Sequence, residues 1–182
     1  MKILKLTLIL TASLYLFGCA SGARMDNMIY QGDQKQYDDK LAKEINVGSV
    51  SGGEETNPAW TSEISNEAFS GALRESLIRQ GIFSKKGKYK LEVKLLNVDQ
   101  PMFGLDLTVT THVQYILTDT SSKDIVMDET IVAQHTATFS DAFIAIERLR
   151  IANEGSGMKN IESVLNKLSE LKIKPKNISL AN

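Results

Sequence analysis

The chain has 182 residues, enough for one domain by the usual prior of about 100–200 residues per domain. Its 21 basic and 22 acidic side chains give a net charge of −1, which argues against a strongly basic nucleic-acid-binding surface. A hydrophobic content of 42% with 3 prolines favours a packed domain over a disordered chain.

The first 18 residues differ in composition from the rest of the chain. Twelve of them are apolar, none is acidic, and Lys2 and Lys5 carry their only charges. The apolar run Leu6 to Phe17 would form a helix of only about 18 Å, against a bilayer hydrocarbon core of about 30 Å. Residues 1–18 are therefore predicted to be a secretory signal peptide that is removed.

The end of this segment, Leu16-Phe17-Gly18-Cys19, resembles the lipobox of bacterial lipoproteins. The only cysteine of the chain follows a small residue and has a leucine three positions upstream. The resemblance implies that signal peptidase recognises Leu16, Phe17 and Gly18 and cuts before Cys19. It also implies a covalent diacylglycerol on the thiol and a palmitate-type acyl chain on the new amine. Two or three acyl chains give stable membrane anchoring.

The residue after Cys19 bears on which membrane the anchor would enter. Ala20 stands where an Asp would imply retention at the inner membrane, so the resemblance favours the periplasmic face of the outer membrane. The alternative is that Cys19 is incidental, within an uncleaved anchor or an ordinary signal peptide.

The mature chain is predicted to have three parts. Residues 19–40 are mostly polar and predict an acylated N-terminus followed by a flexible tether. Residues 41–175 predict a single α+β domain, and residues 176–182 a C-terminal tail.

The first half of the domain alternates between strand and helix signals. Alternating apolar residues predict a strand over 45–50, and Ser65 or Asn66 can cap a helix that ends before Gly81. Alternation over 89–95 predicts a second strand, with a phase shift near Leu95-Leu96 that indicates either a bulge or an edge leaving the core.

The second half begins with a turn at residues 101–104 and a long hairpin. Strands are predicted over 105–117 and 125–138, joined by the polar loop 119–124. Ser140 is predicted to cap a second helix, with Phe139 and Ile144 as a hydrophobic staple.

Inside that second helix, Gly155 and Gly157 imply either a break or a closely packed neighbour, and Pro175 ends regular structure. The order β-α-β-β-β-α predicts an antiparallel sheet with two helices packed on one face.

The two histidines of the chain, His112 and His135, both fall on the predicted hairpin. The loop position pairs residues whose numbers sum to about 243, which sets His112 opposite Ile131 and His135 opposite Thr108. The histidines would then lie roughly 10 Å apart on the solvent-facing side, too far apart for a metal site or proton-transfer pair. The sequence predicts no metal, no catalytic residue and no cofactor beyond the covalent lipid.

The start of the second helix mixes charged and apolar residues at helical spacing. The structural interpretation is a partly buried helix with surface ion pairs. The functional interpretation is a docking surface for another envelope protein, formed by Asp141, Glu147, Arg148, Arg150, Asn153 and Glu154.

The signal peptide, lipobox, tether and element order together resemble small proteobacterial envelope lipoproteins. A poorly characterised family of about this length resembles the chain at residues 117–120 and over the run from Thr138 to Gly155. Some members carry an acyltransferase label, but the chain shows no hexapeptide repeats and no convincing general base. The layout is also similar to auxiliary lipoproteins of ABC-type lipid transporters and to the lipoprotein partner in lipopolysaccharide assembly.

These resemblances imply a non-catalytic, lipid-anchored accessory subunit or scaffold of an envelope transport or assembly system. The expected partners are the membrane and an envelope protein complex, with no nucleic acid. Two alternatives stay open: a carrier of a lipid or other amphiphile, and an enzyme acting on envelope glycolipid.

Overall fold

The computed structural model describes residues 21–57 and 61–173. A four-residue helix, α1 (Met25–Met28), and a 3₁₀ turn (Asp39–Leu41) precede the main elements. These are β1 (Ile45–Ser51), α2 (Asn66–Arg79), β2 (Tyr89–Asp99), β3 (Leu107–Asp119), β4 (Ile125–Ala137) and α3 (Ala145–Glu170). The predicted α+β class and the order β-α-β-β-β-α are confirmed.

One sheet contains the four strands in the order β1-β2-β3-β4. The pairings β2–β3 and β3–β4 are antiparallel, as expected, whereas β1 pairs with β2 in parallel. The sheet is therefore mixed. Parallel neighbours need a crossover connection, and α2 provides it between β1 and β2. The predicted bulge lies in β2, where the register shifts between Leu95 and Asn97.

Alternation in β3 explains why the helices cover only one face of the sheet. Its odd-numbered residues, Leu107 through Leu117, are all buried, whereas the even-numbered ones remain partly or fully exposed. α2 presents Phe69, Leu73 and Leu77 to the same core. Its ends follow prediction: the Ser65 hydroxyl accepts a hydrogen bond from the Ala68 N–H at 3.2 Å, and Gly81 has a φ of 71°.

Residues 21–41 form a strap that passes between α2 and α3 and joins the core, so the tether predicted over residues 19–40 is wrong for residues 21–40. Met28 is fully buried in this strap, and α1 contacts both long helices. Gly71 on α2 lies against Met25, and a Cβ at Gly157 on α3 would lie 2.7 Å from the Met28 sulfur. Hydrophobic periodicity does not predict the burial of the strap. Its apolar side chains occur singly, without a helical or strand repeat, and they fill a groove that other elements form.

Gly155 and Gly157 do not interrupt α3, which is one continuous helix of 26 residues. Each glycine lies beneath a close neighbour, Gly155 under the His135 ring and Gly157 under Met28. Of the two outcomes that the sequence allowed, close packing is the one that occurs, and Gly costs about 1 kcal/mol relative to Ala in the helix.

The N-cap of α3 is Ile144, four residues after the predicted cap at Ser140. The Thr138 N–H donates to the Asp141 carboxylate at 2.6 Å, so residues 138–144 form a loop before the helix. The predicted Phe139–Ile144 staple is also wrong, because Phe139 packs edge-on against Phe143 with ring centroids 5.1 Å apart.

Truncation of Met28 tests whether the strap is part of the folded core. We expect Met28→Ala to lower the free energy of unfolding by about 2–5 kcal/mol, the range for buried large-to-small changes. The matched control is Met25→Ala, because Met25 is 40% exposed; its cost should be below about 1 kcal/mol. Urea unfolding followed by circular dichroism measures both. Equal, near-zero effects would mean that residues 21–41 are a tether after all.

Candidate functional site

The lipidation site Cys19 and the recognition residues Leu16, Phe17 and Gly18 lie outside the described residues. The predicted docking surface on α3 lies within them and is split by the fold. Asp141 and Glu147 are exposed, but Arg148, Asn153 and Glu154 are buried and Arg150 is partly buried. The prediction is therefore wrong for the three buried residues, because charge spacing along a helix does not reveal which face meets the core.

Glu154 holds the start of the strap. Its two carboxylate oxygens accept hydrogen bonds from the Arg24 N–H at 3.0 Å and the Asn27 side-chain amide at 2.7 Å. The Arg150 guanidinium pairs with the same carboxylate at 2.8 Å. Because a buried carboxylate is costly unless it is paired and hydrogen-bonded, these three donors explain how Glu154 is accommodated.

A second polar cluster ties the beginning of the described chain to the end of β2. The Ser62 hydroxyl donates to the Ser21 carbonyl at 2.9 Å. The Ser62 carbonyl in turn accepts from Asn153 at 2.6 Å and from Gln100 at 3.0 Å. Gln100 also donates to the carboxylate of Glu63, and burial raises the pKa of Glu63 above its ordinary value.

A third polar cluster fixes α3 on the middle of the sheet. The Tyr115 hydroxyl donates to the Asn160 side-chain oxygen at 2.8 Å, and burial raises the pKa of Tyr115 well above its ordinary value. The Asn160 amide donates to the backbone carbonyls of Thr111 and Ile131. Each of these buried groups has its partner, which is the arrangement of a structural network.

The two histidines point to opposite faces of the sheet. His112 pairs with Val132 in the ladder and lies on the solvent face, 3.0 Å from the Asp99 carboxylate. His135 pairs with Val109 and lies on the helix-covered face against Gly155, so its predicted solvent-facing position is wrong. Burial and the nearby Lys159 lower the pKa of His135, with Asp141 acting in the opposite direction.

Residues 21–57 and 61–173 contain no group of three or more His, Cys, Asp or Glu side chains that could hold a metal ion. Among the helices described, none has the length and apolar character needed to cross a membrane.

Large apolar side chains are exposed together at one end of the domain. They come from two loops, 101–106 between β2 and β3 and 138–144 between β4 and α3. Phe103 is 87% exposed and Phe143 80%. We call the following set the apolar end patch: Met102, Phe103, Leu105, Phe139, Phe143 and Ile144.

Polar contacts hold the two loops of the apolar end patch to each other and to α3. The Phe139 N–H donates to the Asp106 carboxylate at 3.1 Å and so joins one loop to the other. Arg148 donates to the carbonyls of Ala142 and Phe143 at 2.7 and 3.0 Å, and its guanidinium lies over the Phe139 ring. The buried arginine thus positions the exposed loop.

A groove of about 410 Å³ runs between the 101–106 loop and the start of α3. Its inner wall includes Leu107, Ile146 and Leu149. Single exposed apolar residues are ordinary on protein surfaces, but a contiguous group marks a contact surface for a partner, a ligand or a membrane. The apolar end patch and this groove are therefore the candidate functional site.

Sequence reasoning missed this site because its residues fitted other roles. Residues 101–104 have the composition of a turn, and Phe139, Phe143 and Ile144 fit a staple and an apolar helix stripe. The available signal was the pair Met102-Phe103 inside a turn, where large apolar residues are unusual.

Comparison with known proteins shows the fold alone. No protein-family model matches the chain, and the search of curated proteins found no match. Protein XCC0632 of Xanthomonas campestris, described under the family model DUF330, aligns with a TM-score of 0.56 at 10% identity over 80% of this chain and 91% of that one.

Two further solved structures share the fold. A candidate lipoprotein of Caulobacter crescentus aligns with a TM-score of 0.51 at 15% identity, covering 72% of this chain and 91% of that chain. The hypothetical protein CT253 of Chlamydia trachomatis aligns with a TM-score of 0.52 at 8% identity, covering 70% and 95%.

The role assigned to Arg148 is testable against its neighbour Glu147. We expect Arg148→Ala to lower the free energy of unfolding by about 1–3 kcal/mol, because it removes hydrogen bonds to two loop carbonyls. Glu147→Ala changes an exposed side chain and should stay within about 0.5 kcal/mol of wild type. Chemical unfolding measures both. A fully stable Arg148→Ala protein would contradict the positioning role.

Proposed function

We propose that the chain is a lipid-anchored lipoprotein of the bacterial cell envelope that acts as a non-catalytic accessory subunit of a transport or assembly system. The observation that carries the proposal is the lipobox at residues 16–19, which ends two residues before Ser21, whose carbonyl accepts a hydrogen bond from Ser62 of the folded domain. The Caulobacter neighbour, itself described as a candidate lipoprotein, supports the same assignment.

The way the fold uses its polar residues supports binding rather than catalysis. The buried polar side chains of α3 form structural hydrogen bonds that hold the strap and the sheet to this helix. They belong to Asn153, Glu154 and Asn160. The apolar end patch, by contrast, consists of large exposed apolar side chains, which suit recognition by burial of area.

A carrier of a lipid or other amphiphile is the second candidate. The groove beside the apolar end patch favours it, since about 410 Å³ lies within the usual 300–1,000 Å³ range of ligand pockets and Leu107, Ile146 and Leu149 provide an apolar wall. The groove is also lined by Met102 and Phe103 of the exposed 101–106 loop, which an entering amphiphile would contact.

The anchor itself has a direct test by intact-mass spectrometry of protein extracted from membranes. We expect a chain that starts at Cys19 and carries a diacylglycerol and an N-acyl group, and no such modification in Cys19→Ala. Ala20→Asp is the sorting variant: it should keep both modifications but move from the outer- to the inner-membrane fraction on a density gradient. An unmodified thiol in the wild-type protein would refute the anchor.

The accessory and carrier functions differ in what the purified protein holds. Protein purified from membranes in detergent and then delipidated should retain no stoichiometric non-covalent lipid by native mass spectrometry if it is an accessory subunit. In vivo crosslinking should then recover one recurrent envelope complex. Retained lipid that disappears in Leu149→Gln, a change within the groove wall, would support the carrier and contradict the accessory role.

A further inference from the structure

We propose that the apolar end patch is a second membrane contact, which inserts into the same leaflet that holds the acyl chains of Cys19. This inference rests on the proposed lipid anchor. It adds an orientation to that anchor: the end of the domain that carries Phe103 and Phe143 faces the lipid.

The anchor at Cys19 lies close in the chain to the folded domain. Ser21 is already held by the Ser62 hydroxyl, and the Ala23 N–H donates to the Glu63 carbonyl at 2.9 Å. The two residues from Cys19 to Ser21 span at most about 7 Å of extended chain. Because residues 21–41 pack as a strap, no longer linker lets the domain move away from the bilayer.

A chain of hydrogen bonds links Ser21 to the apolar end patch. The Ser62 carbonyl accepts from Gln100, and Met102 follows two residues later in the chain. The same carbonyl accepts from Asn153, and the first residue of α3, Ala145, lies about 12 Å from Asn153 along the helix axis. The 101–106 loop therefore leaves directly from the cluster that holds Ser21, and the 138–144 loop is joined to it through the hydrogen bond from the Phe139 N–H to Asp106.

The side chains of the patch are of the kind that enters a bilayer surface. Exposed aromatic and aliphatic side chains on loop tips bind a membrane by entering the boundary between headgroups and acyl chains. The loops 101–106 and 138–144 contain no Lys or Arg, and they carry the exposed carboxylates Asp106 and Asp141. Apolar insertion into a zwitterionic surface is therefore the expected mode, and attraction to anionic lipid is not.

The proximity of the anchor decides between a bilayer and other occupants. A partner protein or a second copy of this chain could also cover an apolar surface. With an acylated Cys19 within about 7 Å of Ser21, however, the bilayer stays close to the polar cluster from which the 101–106 loop leaves. A partner would have to enter between the patch and the membrane.

The test uses protein without the acyl chains, so that the patch alone is measured. The mature chain from Ala20 onward, secreted behind a signal peptide that leaves no lipid, contains every described residue. Flotation with phosphatidylcholine vesicles should show binding, and the double variant Phe103→Ser with Phe143→Ser should bind at least roughly tenfold more weakly. Both residues are exposed, so circular dichroism should match the wild-type spectrum.

The matched control is Ile125→Ser, since Ile125 is 63% exposed but begins β4 at the opposite end of the sheet. It should bind as wild type does, and adding phosphatidylglycerol should not strengthen binding. Absent flotation of the wild-type chain, equal binding by the double variant, or binding only to vesicles with phosphatidylglycerol would each overturn the proposal. So would a wild-type dimer in sedimentation that the double variant dissolves, because the patch would then join two copies.

Failure of this contact is distinguishable from failure of the proposed anchor. The anchor is read from the mass of membrane-extracted protein, whereas the patch is read from flotation of a chain that has no acyl group. A lipidated Cys19 in a protein whose unlipidated chain does not float would leave the anchor intact and reject the second contact.

Discussion

The seating of the strap between α2 and α3 is the constraint on which the remaining structure depends. Met28 fills the space that Gly157 leaves open, and Glu154 takes hydrogen bonds from Arg24 and Asn27. The apolar contact supplies the burial, and the carboxylate fixes the register of the strap along α3. Since Glu154 is itself buried, loss of its donors would leave an unpaired charge inside the domain, which is strongly unfavourable.

The packing of the strap also fixes the position of the candidate site relative to Ser21, the first described residue. The polar cluster around Ser62 joins Ser21, Gln100 and Asn153, so the strap, the end of β2 and the first part of α3 meet at one end of the sheet. The 101–106 loop, which leaves this cluster, carries part of the apolar end patch, and Asp106 joins it to the 138–144 loop that carries the rest. Because Ser21 is held rigidly relative to the apolar end patch, an anchor next to Ser21 would limit the orientation of the domain on a membrane. A flexible tether would allow any orientation.

Much of the fold was predictable because its signals are local. Alternation marked the strands, Ser65 and Gly81 marked the ends of α2, and the phase shift at Leu95 marked the bulge. The strap was not predictable in this way, since its apolar residues have no period of their own. The start of α3 was misplaced because Thr138 and Asp141 form a local turn with the residue types of a helix cap.

The sequence by itself determined the element order and the two-faced character of β3, because side-chain alternation is a property of neighbouring residues. Its lipobox resemblance also supplied the hypothesis of an anchor at Cys19. Only the tertiary structure decided which charged residues of α3 are surface and which are core, and it alone brought Phe103 and Phe143 to one end. The physical reason is that burial and patch formation depend on contacts between segments that lie far apart in the chain, such as Glu154 with Arg24 and Phe139 with Asp106.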